Sequence, residues 1–123
     1  MSAPVIDKEL DPTPIVSALV EKSTIGKMAW EATAREDTFV SSVGGQTLKL
    51  ALEPTIASDI YGNPEERNEP VLYLLDEKGR TIWQIYSSQA KEGGLWKLYR
   101  MAQRVANKVD DRMAALMDAL QRL

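Results

Sequence analysis

The sequence predicts an α+β domain: an N-terminal helix, an antiparallel meander of four or five strands, then a long C-terminal amphipathic helix. Three observations predict this class. Two hairpin signals lie in the middle of the chain, helical periodicity precedes them, and a longer helical periodicity follows them. A chain of 123 residues, 44% of them apolar, is long enough for one domain with its own core.

The first twelve residues contain two prolines and no periodic pattern, so we expect a flexible arm over 1–12 and a single domain over 13–123. Thr13 is suited to cap a helix, and Pro14 is suited to its first position. The apolar residues that follow at helical spacing are Ile15, Val16, Leu19 and Val20. This pattern predicts a helix that ends before Gly26.

The first hairpin follows a weak strand signal around Trp30. Residues 38–43 are rich in strand formers, and Gly44-Gly45 suits a two-residue turn that needs positive φ. Residues 46–52 alternate, which places Leu48, Leu50 and Leu52 on one face and more polar side chains on the other. We therefore expect one face of this strand to be buried.

The second hairpin joins residues 71–75 to residues 80–86 through Asp76-Glu77-Lys78-Gly79. Both strands are apolar on both faces, and a sheet face of that kind needs a cover. We expect one of these faces, covered by a terminal helix or by a second subunit, to carry Val71, Tyr73, Trp83 and Ile85.

Between the hairpins, residues 53–70 contain three prolines and an acidic stretch. We expect a long loop here, anchored in its first half by Ile56, Ile60 and Tyr61. Loops of this length inside compact domains are often functional, so the loop is a candidate cover for a pocket.

The last helix has the clearest periodicity, and we expect it to be continuous from Gly94 to Gln121. Two helices, broken near 107–110, are the alternative. A continuous helix would be ~42 Å long, whereas a compact chain of this size is ~35 Å across. Its end would overhang the domain and need a partner surface, which favours a homodimer. The overhanging apolar residues are Met113, Leu116, Met117 and Leu120.

Several short motifs mark the order of elements in this chain. They are Trp30-Glu31 and Asp37-Thr38-Phe39 before a hairpin, then Asp76 to Gly79, and Leu95 to Tyr99 at the start of the final helix. Over about residues 28–120, the layout resembles a group of small bacterial proteins with a helix, an antiparallel meander and a helix. The resemblance implies this fold and no particular activity.

The chain contains no histidine and no cysteine. Their absence excludes Ser-His and Cys-His catalysis, zinc sites with nitrogen or sulfur ligands, and disulfides. Carboxylates remain as general acids or bases, and the candidates are Glu31, Glu36, Asp37, Asp110 and Asp111. Capping and turn formation explain such residues adequately, so we expect no catalytic residue, no metal and no cofactor.

A basic stripe runs along the final helix, opposite its apolar face: Lys97, Arg100, Arg104 and Lys108. A solvated helix face is the plainest interpretation. Like charges four residues apart are mildly destabilising, so an acidic protein partner or the chain's own glutamates could compensate them. The net charge of −3 and the absence of interleaved aromatic residues argue against nucleic acid.

These features together favour a non-catalytic cytoplasmic interaction protein that forms a homodimer and acts as a chaperone or adaptor. Small acidic secretion-type chaperones are similar in size, charge and α/β composition, although no helix is predicted between the hairpins here. The alternative is a small-molecule binder, or a carboxylate-dependent enzyme, with its pocket under the 53–70 loop. We expect no membrane segment, because the longest apolar run has five residues, 71–75.

Overall fold

Five antiparallel strands form one sheet in the order β1-β2-β3-β4-β5, so every strand pairs with its neighbours in sequence. The structure is a computed structural model that describes residues 11–123. The strands are β1 (Glu31–Ala32), β2 (Thr38–Val43), β3 (Gln46–Ser58), β4 (Pro64–Leu75) and β5 (Thr81–Tyr86). The helices are α1 (Thr13–Thr24), α2 (Gly94–Ala106) and α3 (Val109–Gln121). The predicted α+β class is confirmed.

The N-cap of α1 lies one residue earlier in the sequence than predicted. Pro12 stands at the N-cap, and the Asp11 carboxylate accepts a hydrogen bond of 3.0 Å from the backbone N–H of Thr13. The Thr13 hydroxyl instead accepts a bond of 3.2 Å from the N–H of Lys91, which ties α1 to the turn before α2. Residues 1–10 of the predicted arm lie outside the described residues.

Both predicted hairpins are confirmed. Gly44 and Gly45 have φ of 58° and 79°, the left-handed conformation that a tight two-residue turn needs. In the β4–β5 turn, Gly79 has φ of 82°, and its N–H donates to the carbonyl of Asp76. Local turn chemistry therefore sets both connections.

The predicted loop over 53–70 is wrong, because β3 and β4 continue through it as a paired hairpin. The pairing runs from Leu52 opposite Pro70 to Ser58 opposite Pro64. We call residues 52–70 the β-arm. The prolines of the β-arm are typical of a loop, which is why the sequence pattern did not indicate these strands. The prolines are tolerated because β2 and β5 do not extend alongside the β-arm, which leaves its outer edges open.

The predicted grouping of side chains in the second hairpin is also wrong. Leu72 pairs with Ile85 and Leu74 with Trp83, and paired residues point to the same face. Val71 and Tyr73 therefore lie on the other face. An irregularity between Leu74 and Leu75 sets this register, and a shift of one residue exchanges the two faces of a strand.

The core lies between α2 and one face of the sheet. Leu95, Leu98 and Ala102 of α2 are fully buried in one cluster with side chains from α1 and from β2 to β5. The rings of Phe39 and Tyr99 are 5.6 Å apart. The members of the cluster outside α2 include Val16, Trp30, Phe39, Leu50, Leu72 and Ile85.

The expected continuous C-terminal helix is wrong, because the helix breaks at Asn107 and Lys108. Lys108 has the left-handed angles φ 54° and ψ 45°. Two polar contacts hold the break: Arg104 donates to the Asp110 carboxylate at 2.7 Å, and Arg112 donates to the carbonyl of Asn107 at 2.8 Å. Acidic residues in the first turn of α3 also favour a new helix start.

We predict that Lys108→Gly stabilises the protein by up to ~1 kcal/mol, because glycine removes the cost of a left-handed side chain. In a continuous helix the same change would destabilise by ~1 kcal/mol. Chemical denaturation, with helix content followed by circular dichroism, measures the sign. Asn107→Gly, at a position with negative φ, is the matched control and is not expected to stabilise. A destabilised Lys108→Gly variant would mean that the helix is continuous in solution.

Candidate functional site

The apolar side of α3 carries four large hydrophobic side chains that are each about half exposed. Met113, Leu116, Met117 and Leu120 are between 50% and 54% exposed, and α3 has no buried residue. Helix α3 packs mainly against the end of α2. These four side chains share one side of the helix because they follow one another at spacings of three, one and three residues. We call them the α3 face.

The four sheet residues predicted for self-association do not form one patch. Ile85 is 4% exposed in the core below α2, and Trp83 is half-buried on the same side. Val71 is 1% exposed on the opposite side, between Ala51 and Tyr86, and Tyr73 is half-buried next to it. Val71 and Ile85 are thus already covered within one chain.

An apolar groove opens on the helix side of the sheet, between α1 and the ends of β2 to β5. Its volume is about 260 Å³, and its lining is almost entirely apolar. Ile15 and Leu19 of α1 form one wall, and Trp83 lies on the sheet side. We call it the apolar groove, and its other lining residues are Val43, Gln46, Leu48, Leu72, Leu74 and Ile85.

The basic stripe is shorter than predicted. Lys97, Arg100 and Arg104 lie on α2, but Lys108 lies in the helix break. Arg104 is neutralised by Asp110, and the guanidinium of Arg100 lies 5.6 Å from the centre of the Trp96 ring. The charge of Arg104 is thus compensated from α3 and not by the glutamates of the β-arm.

A polar cluster lies on the sheet face opposite the helices. The Tyr73 hydroxyl donates a hydrogen bond of 2.8 Å to the Glu53 carboxylate, and the ammonium of Lys49 lies 4.5 Å from the centre of the Tyr73 ring. Burial, followed by the hydrogen bond and the negative charge of Glu53, raises the pKa of Tyr73 to about 12. A phenol with such a pKa stays protonated at neutral pH, so the Tyr73 hydroxyl acts here as a hydrogen-bond donor and not as a base.

Of the candidate carboxylates, Asp110 and Asp111 line one cleft together, and the other three are not among its lining residues. Glu31 and Glu36 are exposed, while Asp37 accepts a hydrogen bond from Thr38 and lies 3.5 Å from Arg35. Among residues 11–123, no three acidic side chains are grouped closely enough to hold a metal ion. None of the helices described combines the length and the apolar character needed to cross a membrane.

Two further clefts are open and partly polar. One, of about 440 Å³, lies beside the β-arm between Ile56, Glu69 and Tyr86. Its position corresponds to the pocket expected under the 53–70 segment, but Glu69 is the one carboxylate in its lining. The other, of about 350 Å³, lies between the end of α1 and the α2–α3 break, where Arg104 and Asp110 neutralise each other.

Sequence patterns missed the apolar groove and the tip of the β-arm. Ile15 and Leu19 belong to the apolar pattern that predicted α1, but Ile15 is 46% exposed. At the tip, Ile60 and Tyr61 were expected to anchor a loop, yet they are 90% and 81% exposed. The sequence signal that could have indicated the groove was the excess of apolar residues on α1 and next to the first hairpin turn.

We predict that Tyr73 titrates near pH 12 in the folded protein, and that Glu53→Gln lowers this midpoint by removing the negative charge. Because the folded-state pKa lies above the ordinary value of 10.0, the neutral phenol contributes fully to stability below pH 10. That contribution is lost as the pH rises from 10 to 12. Phenolate absorbance, with Tyr73→Phe subtracted and folding checked by circular dichroism, gives the midpoint. An unchanged midpoint in Glu53→Gln would contradict the assigned cause.

No protein-family model, no curated protein and no solved structure matches this chain. The functional proposal therefore rests on the surfaces of the chain itself, above all on the α3 face and the apolar groove.

Proposed function

We propose that this protein is a non-catalytic interaction module of the chaperone or adaptor kind, and that two copies associate through the α3 face. The observation that carries the proposal is the half-exposure of four large apolar side chains on one side of a helix. The scattered carboxylates and the absence of histidine and cysteine support a binding role over a catalytic one.

Helix α3 needs a cover for its own stability. It has 13 residues, and isolated helices of that length are marginal in water. Full burial of a Leu or Met side chain gains ~1.5–3 kcal/mol, so covering the exposed half of each gains about 1 kcal/mol. The α3 faces of two copies would together gain ~8 kcal/mol, which is comparable with the ~4–15 kcal/mol cost of association.

The β-arm supports the same proposal as a second contact surface. It is a two-stranded hairpin with open outer edges, and Ile60 and Tyr61 stand at its tip. Isolated hairpins are marginally stable in water, and an aromatic residue at an exposed tip is typical of contact sites. On α2, Lys97 and Arg100 form no ion pair within residues 11–123, which leaves them available to an acidic protein partner.

We place this function in the cytoplasm, where a chain without cysteine loses nothing to a reducing environment. The alternative role, a small-molecule binder or carboxylate enzyme, would use the cleft beside the β-arm. With one carboxylate in that lining, a paired acid and base is not available there.

We predict that the protein has twice the chain mass of 13.7 kDa by light scattering at micromolar concentration, and that Leu116→Glu reduces it to the mass of one chain. A charge on the α3 face cannot be buried against a second apolar surface without a large cost. Ala115→Glu is the matched control, because it adds the same charge to the neighbouring residue on the opposite side of α3. It should leave the mass doubled.

Circular dichroism and thermal unfolding establish that both variants are folded. A single-chain mass for the unmodified protein at high concentration would end the proposal. So would equal masses for Leu116→Glu and Ala115→Glu.

A further inference from the structure

The apolar groove is an open depression on the helix side of the sheet, with space for a few side chains of a helix that lies across it. It runs across four strands, from Val43 of β2 to Trp83 of β5, and one polar residue, Gln46, stands in its lining. Helix α1 packs against α2 and makes few contacts with the sheet. A gap therefore remains between Ile15 and Leu19 of α1 and the sheet below them.

The size and chemistry of α3 match this groove. Four adjacent strands span ~14 Å, and a helix of 13 residues is ~20 Å long, so α3 can cross all four. Its exposed side is apolar, as the groove is. No charged residue lines the groove, so no charge would lose water without a partner.

The α3 of the same chain is not placed to fill the groove. Its first turn is held beside the C-terminal end of α1, where Ser23 and Asp110 line one cleft. The groove is bounded by Ile15 and Leu19 of α1, and no residue of α3 is among its lining residues. The junction has two residues and is fixed by the Arg104–Asp110 pair.

A simple α3–α3 pair is the weaker arrangement. It covers one apolar surface of each chain and leaves both grooves open, and its gain only matches the cost of association estimated above. An exchange in which each α3 enters the other copy's groove covers two surfaces of each chain in one twofold interface. Twofold interfaces of this reciprocal kind are the commonest among homo-oligomers.

We infer that the occupant of the apolar groove is the α3 of a second copy of this chain, docked reciprocally. The inference rests on the proposed self-association and names the partner surface for the α3 face. Ile15, Leu19, Leu74 and Trp83 contact the incoming Leu116 and Leu120 in this arrangement.

Disulfide crosslinking tests the inference cleanly, because the chain has no cysteine of its own. Gln46→Cys places a thiol at the groove, and Ala114→Cys or Gln121→Cys places one beside the α3 face. Thr47→Cys is the matched control: it is the next residue along β3 and points to the opposite sheet face. Pairs of variants are mixed, allowed to exchange subunits, and oxidised mildly.

The expected result is a crosslinked dimer when Gln46→Cys is mixed with Ala114→Cys or Gln121→Cys, and none when Thr47→Cys replaces Gln46→Cys. If the α3 variants crosslink only with themselves, α3 pairs with α3 and the groove inference is overturned, while self-association stands. A dimer without groove crosslinks overturns the inference in the same way. A protein of single-chain mass overturns both.

Discussion

The packing of α2 against the sheet is the contact on which the rest of the structure depends. Leu95, Leu98 and Ala102 have no exposed surface, and the Tyr99 ring packs against the Phe39 ring of β2 at a tilt of 58°. Helix α1 is held through α2 more than through the sheet. Helix α2 contacts β1, β2 and β4, α1 packs on α2, and the space between α1 and the strands is the apolar groove.

The same arrangement separates two helices that look alike in sequence. Helix α2 has its apolar side covered by the sheet and by α1, whereas α3 begins past the left-handed Lys108 and has no buried residue. The chain thus has one helix whose apolar side is covered, one helix whose apolar side is not, and one uncovered apolar groove. The uncovered helix side and the groove are complementary in their apolar character. This is the physical basis of the proposed binding role.

The sequence predicted the features that depend on neighbouring residues. Gly44-Gly45 and Gly79 indicated both turns, and the alternation of Leu48, Leu50 and Leu52 indicated the buried face. Prediction from the sequence failed where contacts beyond neighbouring residues determine the structure. Helical periodicity passes through Lys108 unchanged, because the Arg104–Asp110 pair that holds the break leaves no trace in that pattern.

The register of β4 and β5 and the β-arm were missed for related reasons. One irregularity beside Leu74 exchanges the faces of the strand, and no local propensity reports it. Prolines and charges in residues 53–70 are typical of a loop, yet the pairing partner of β4 is β3 itself. The α3 face was predicted as a set of apolar residues, and the groove became visible only from the distance between α1 and the sheet.

The prolines of the β-arm have a consequence for the behaviour of the protein at high concentration. Pro54, Pro64 and Pro70 have no amide hydrogen, so a strand from another molecule cannot form a continuous ladder along the arm. Glutamates between them add repulsion against a stacked copy. Open-ended growth into fibrils is therefore blocked where exposed backbone would otherwise invite it, while the side chains at the tip stay free to touch a neighbour.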